Sequence, residues 1–157
     1  MSSDMLRDQL LTMLQASNAH PMLKEIVQDF PPEHYGTLPE GFNHSAWQLL
    51  EHLRLAQEDI LKFSTDPNYE SPPWPEGYWP KNQAPRGEAQ WSASVEDFQR
   101  NLKSMMKLVA DESKDLQEPL AQGDGQTLLR EAILLIKHNS YHFGQLMLLK
   151  RYFENKS

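Results

Sequence analysis

The chain has 157 residues, a formal net charge of −7, 11 prolines and no cysteine. The length fits one domain over 1–157 with a core of its own. The acidic balance, without any basic run, argues against nucleic acid, because phosphate binding needs clustered Lys and Arg to displace counterions. Without cysteine there are no disulfides, no thiolate metal ligands and no thiol nucleophile supplied by the protein. The opening "MSSDMLRDQL" lacks a basic patch followed by an apolar stretch, and "AILLI" (Ala132 to Ile136) is far short of a bilayer span. A soluble, cytoplasmic protein without a membrane partner is the expectation.

The elements follow in chain order. Leu6, Leu10, Met13 and Leu14 form one stripe, which predicts a helix over about Asp4 to Ala16. "PMLKEIVQDF" predicts a short second helix with Pro21 in its first turn, ended by Pro31 and Pro32. From about Asn43 to Phe63 the stripe Ala46, Leu49, Leu50, Leu53, Ala56 and Ile60 has three-and-four spacing, with Asn43 or Ser45 as cap.

Asp66 to Pro85 holds six prolines together with Trp74, Tyr78 and Trp79. Proline at this density excludes helix and central strand, while the aromatics argue against a disordered linker. One long ordered excursion is expected, and it leaves the second and third long helices free to run in the same direction. The three aromatics either line the mouth of a pocket or anchor the loop onto the helices.

A third long helix is expected from Ser94, with Asp97 in capping-box spacing, and carries Val95, Phe98, Leu102, Met105, Met106 and Val109. The adjacent Met105 and Met106 read as core filler. "GDGQT" reads as a turn and cap leading into a last helix that reaches about Phe153. No strand pattern competes. The fold class is all-α, a four-helix bundle with an extra short helix and a long Pro- and aromatic-rich connection between the second and third long helices.

The chemistry concentrates in "HNSYHFGQL". His138 and His142 lie one turn apart, so both imidazoles can reach one ion. The other long helix bearing histidine offers His52, flanked on its face by Leu49 and Ala56 and so directed inward. Three imidazoles from two helices suit a divalent first-row metal and leave a coordination position open, as a catalytic site requires. The competing bland reading has these rings facing solvent or making ordinary core hydrogen bonds. Asn139 stands where a zincin would carry its glutamate, so that class of protease is not supported.

His44, Gln48, Glu131 and Gln145 share the ligand faces and are candidates to orient a ligand or bound water. For His44 a solvent-facing helix start is the favoured alternative, and for Glu131 a solvated helix face. His20 and His34 are given no role.

Taken together, "NAHPMLKEIVQDFPP", "GFNHSAWQLLEHLRLAQEDIL", "WPEGYWP", "GDGQTLLREAILLIKHNSYHFGQL" and the terminal "LLKR" resemble the DinB/YfiT-like superfamily over nearly the full chain. The resemblance implies a four-helix bundle of unusual connectivity and a three-histidine site for zinc, nickel or a similar ion, here on His52, His138 and His142. Iron and manganese also suit such a site. Relatives with known reactions include thiol-dependent transferases and isomerases. The implied function is therefore a small metal-dependent enzyme, a thiol-dependent transferase or a hydrolase, acting on a small molecule such as a low-molecular-weight thiol. The alternatives are a non-catalytic metal-binding or stress-response bundle, and a plain interaction module with incidental histidines. A homodimer through an apolar helix face is a further expectation.

Overall fold

The structure is a computed structural model that describes residues 3–156; residues 1, 2 and 157, part of the expected domain, lie outside them. Among the described residues five α-helices follow one another: α1 (Ser3–Gln15), α2 (Leu23–Val27), α3 (Ala46–Thr65), α4 (Glu88–Ala110) and α5 (Leu128–Glu154). Single 3₁₀ turns occupy Pro32–His34 and Glu76–Tyr78. Among the described residues there is no strand, only an isolated bridge between Pro119 and Thr127.

α3 packs on α4 and α5, α1 packs on the same two helices, and α4 and α5 also touch each other. Their directions follow from paired contacts. Glu51 meets Ser94 and Gln57 meets the Phe98 carbonyl, so residue numbers rise together and α3 runs parallel to α4. His52 faces His142 while Gln57 faces Asn139, so α3 and α5 are antiparallel. Arg7 reaches the Val109 carbonyl, while Gln15 shares a surface cleft with Phe98 and Leu102, so α1 opposes α4.

The parallel α3–α4 pair explains the long excursion. A helix of 20 residues such as α3 is about 30 Å long, and the chain must retrace that length before α4 can start alongside. No short turn does this. The returning segment is tied down as it passes: the Ser45 hydroxyl donates to the Gln83 carbonyl at 2.6 Å, and Gln83 Nε2 donates to the Gly36 carbonyl at 2.9 Å. Gly36 packs so tightly on Ala84 that a methyl group there would collide with it.

The core is one apolar cluster fed by all five helices, with Leu50 and Leu53 of α3, Phe98 and Met105 of α4, and Leu135, Leu146 and Leu149 of α5 fully buried. Each such side chain contributes about 1.5–3 kcal/mol relative to exposure. Met105 and Met106 are core and core-edge residues, as their spacing suggested.

Several local expectations are corrected. Met13 is 52% exposed, and the buried face of α1 is built from Leu10, Leu14 and the guanidinium-bearing Arg7 instead. Pro21 precedes the first turn, because Met22 is the N-cap of α2. That helix ends well before the double proline, and Asp29 just beyond it takes a positive φ of 58°, a conformation that Asp tolerates better than most residues. Ser45, not Asn43, caps α3, accepting from the Gln48 amide. Ser94 does not begin the third long helix. That helix starts six residues earlier at Glu88, after Gly87, so that Trp91 can be buried in its first turns. Ser94 sits inside it, buried, and donates to Glu51 Oε2 at 2.5 Å. Asp97 pairs with Arg100 on the surface.

Candidate metal centre

The site forms where the N-terminal half of α3 meets the middle of α5. On α3, the apolar stripe sinks Leu49, Leu53 and Ala56 into the core, and His52 lies between them, 3% exposed. On α5, Leu135, Leu146 and Leu149 do the same, carrying His138 and His142 to the same interface. The ring centroids of His52, His138 and His142 are 4.9, 4.6 and 4.5 Å apart pairwise.

The hydrogen bonds decide which nitrogen each ring presents. His52 donates from Nδ1 to the Tyr78 carbonyl at 2.7 Å, which leaves Nε2 with a bare lone pair. His142 donates from Nδ1 to Gln145 Oε1 at 2.6 Å, so Nε2 is again the nitrogen left. His138 Nε2 lies 3.0 Å from His52 Nε2, while its Nδ1 is buried without a protein partner. One nitrogen from each ring lies within 4.8 Å of the other two. Three nitrogens at 2.0–2.1 Å from a tetrahedral ion would be about 3.4 Å apart, a separation that the observed spacings bracket.

Electrostatics agree with that geometry. Burial pushes His138 down to about 3, with repulsion from His142 and His52 adding to it. Burial likewise pushes His142 down to about 4, against the opposing hydrogen bond from Gln145. Burial lowers His52 as well, partly offset by its bond to Tyr78. Neutral imidazoles are what a metal needs. Without a cation, His138 must either donate from Nε2 to His52, leaving a buried bare Nδ1, or turn its lone pair onto that of His52. A divalent ion among the three rings gives those lone pairs a common partner, so the donor set fits such an ion.

The neighbours separate into those that touch the rings and those that do not. Gln145 touches His142 directly. Trp79 stacks on His52 at 3.9 Å and 3°, and on His44 at 4.0 Å and 22°. His44 is therefore not the solvent-facing residue favoured by its position at a helix start; it is half-buried against the loop. Gln48 is turned away, its Oε1 closing a capping box on the Ser45 amide at 2.9 Å. Glu131 is only 3% exposed rather than solvated, but its carboxylate pairs with Arg130 at 2.7 Å and is not among the metal-competent group. Glu131 lies about two helix turns before His138, and that distance is enough to give it a different environment.

The loop residues also divide. Tyr78 donates its hydroxyl to Asp59 at 2.9 Å and gives its carbonyl to His52, so it anchors the loop and orients a ring at once. Trp74 is 74% exposed, with its ring tilted against Tyr78 at 5.4 Å, which makes it neither a floor nor an anchor of the site. A main-chain carbonyl carries no side-chain signature, so the Tyr78 contact had no signal in the sequence. Gln57 was also missed: fully buried, it donates to the Phe98 carbonyl at 2.7 Å and accepts from Asn139, contacts made across helices that no spacing within one helix encodes. His20 and His34 stay outside the centre, one bridging Pro21 to Ser140 and the other stacked on Phe153 at 4.1 Å.

A search among curated proteins finds no match to the chain. The family model of the DinB superfamily matches residues 15–146, a span that contains all three clustered histidines, both parallel helices and the loop between them. With that match over most of its length, an all-helical bundle and a three-histidine group able to bind a metal ion, the chain belongs to the DinB superfamily.

Proposed function

We propose that this protein is a small metal-dependent enzyme, of thiol-dependent transferase or hydrolase type, in which His52, His138 and His142 hold one divalent ion, zinc or nickel before iron or manganese. The observation that supports this reading most is the set of three neutral imidazole nitrogens, all within 4.8 Å of one another, contributed by two helices. Three protein ligands leave room for a reactant, the arrangement of catalytic rather than structural sites. The ion supplies Lewis acidity there, acidifying a water or a thiol near neutral pH.

The protein residues have separable tasks. Tyr78 and Gln145 fix the tautomers of His52 and His142 by accepting their Nδ1 protons. Trp79 covers His52 with an apolar face and limits water access from the loop side. With no cysteine in the chain, sulfur chemistry here uses a low-molecular-weight thiol as substrate.

Elemental analysis of untagged protein, joined to absorption spectra of the cobalt form, tests this. One equivalent of metal and a spectrum of four- or five-coordinate nitrogen ligation that changes with 2-mercaptoethanol are expected. A cobalt spectrum indifferent to thiol and to water exchange supports a non-catalytic metal-binding bundle instead, and substoichiometric metal after reconstitution ends the metal reading.

A further inference from the structure

A cleft of about 350 Å³ opens beside the histidines, lined by Phe42, Asn43, His44, Leu49, Gln145 and Leu148 together with the backbone at Gly41. Its position is set by the ends of two antiparallel helices: the entry to α3 supplies one wall and the C-terminal half of α5 the other. The volume is at the lower end of the range for small-molecule sites.

The chemistry of the walls is specific. No Lys, Arg, Asp or Glu lines the cleft, so neither an anion nor a cation finds a counter-charge there. Phe42, Leu49 and Leu148 form an apolar surface, and Leu148 is 60% exposed for lack of anything to cover it. Three polar side chains line the cleft: exposed Asn43, and Gln145 and His44 on the side of the histidine cluster, the last two with hydrogen-bonding capacity left over. Gln145 uses Oε1 to hold His142, while its amide NH₂ has no partner among the described residues. His44 has its ring stacked on Trp79 but neither nitrogen is hydrogen-bonded within the described residues, and burial keeps that ring from charging readily.

We propose that this cleft binds a small uncharged molecule bearing a carbonyl oxygen, which accepts from Gln145 Nε2 and is flanked by the His44 ring, with its apolar part on Phe42, Leu49 and Leu148. The proposal rests on the metal reading in one respect only: Gln145 is common to both sites. An acceptor on Nε2 polarises the amide and makes Oε1 a stronger partner for the His142 proton. The cleft ligand and the metal therefore bind cooperatively, and the coupling is reciprocal.

The probe is butyramide, compared with butyrate and n-butylamine, titrated into full-length protein with and without zinc while NMR follows the Gln145 side-chain amide. Zinc content is measured separately. Saturable shifts with butyramide, at least tenfold weaker binding of the two charged analogues, and about fivefold tighter binding with zinc present are the expected result. Gln145→Glu keeps an acceptor for His142 but replaces the amide donor with a negative charge, so the preference should reverse toward n-butylamine. His44→Phe keeps a ring on Trp79 and should weaken butyramide severalfold. Absence of a saturable shift in the wild-type chain, or equal binding of all three analogues, overturns the proposal without any variant. Failure of zinc to bind while butyramide still shifts the metal-free chain supports the cleft and sinks the metal reading alone.

Discussion

His52 donates its Nδ1 proton to the main-chain carbonyl of Tyr78 at 2.7 Å, so a ring carried by α3 is oriented by the loop that leaves α3 and returns beside it. The loop is thereby part of the centre. Its turn at Glu76–Tyr78 depends on Gly77, where an added Cβ would lie 2.6 Å from Pro72 Cβ. Gly77→Ala should displace the carbonyl and cost about 10–100-fold in zinc affinity, with helical circular dichroism unchanged. Competition against a chromophoric chelator measures it, and wild-type affinity would disconnect the loop from the metal.

Single replacements His52→Ala, His138→Ala and His142→Ala should each reduce zinc from one equivalent to a small fraction at micromolar protein. The helices persist, because their packing rests on the surrounding leucines. Retention of full zinc by any one of the three would remove that residue from the ligand set.

Trp79 offers an optical report. Its indole lies flat on His52 at 3.9 Å, whereas Trp47 and Trp91 are buried in the apolar cluster and Trp74 is mostly in solvent. A cation on His52 should change Trp79 emission with saturation at one equivalent. Trp79→Phe should abolish that change while the protein still takes up metal. Persistence of the signal in the variant would place its origin elsewhere.

Acid should destabilise the metal-free protein through the same rings. His138 and His142 protonate at about 3 and about 4 when folded, against an ordinary value of 6.5. Between those limits the unfolded chain binds more protons, so stability rises with pH, at up to about 1.4 kcal/mol per pH unit for each ring. The contribution is fully present above pH 6.5 and is lost as pH falls toward about 4 for His142 and about 3 for His138. Urea midpoints at pH 7 and pH 5 should therefore differ clearly, and the difference should shrink in His138→Leu. A pH-independent midpoint would mean the rings are not buried as described.

Arg7 gives a test away from the site. Buried in α1, it donates Nη1 to the Val109 carbonyl at 2.6 Å and Nη2 to the Lys114 carbonyl, closing the C-terminal end of α4. Hydrogen bonds to charged groups are worth about 1.5–3 kcal/mol each. Arg7→Met keeps the aliphatic stem and should lose about 2–4 kcal/mol of unfolding free energy, leaving zinc stoichiometry intact. A loss under 0.5 kcal/mol would show that water replaces the guanidinium there.

Helix identity and the inward direction of His52, His138 and His142 were legible because both depend on local periodicity. Apolar residues at three-and-four spacing specify which face is buried whatever packs against it, and a histidine on that face goes inward with its neighbours. The start of α4 was not legible. Glu88 to Ala93 has no clear stripe of its own, and only the demand for Trp91 in the core extends the helix back to Gly87. Ser94 then becomes a buried donor to Glu51 on another helix, a pairing that no spacing within α4 encodes.

By itself, then, the order of residues determined the all-helical composition, the proline-rich return and the one-turn pairing of His138 with His142, since each follows from backbone geometry within a few residues. Only the tertiary structure decided that α3 and α4 run parallel, that Gln48 caps while Gln145 holds a ring, that Glu131 is drawn to Arg130, and that Tyr78 and Trp79 reach His52. Those outcomes depend on which surfaces meet across the bundle. Such meetings are fixed by packing the whole apolar cluster at once, not by any local stretch of chain.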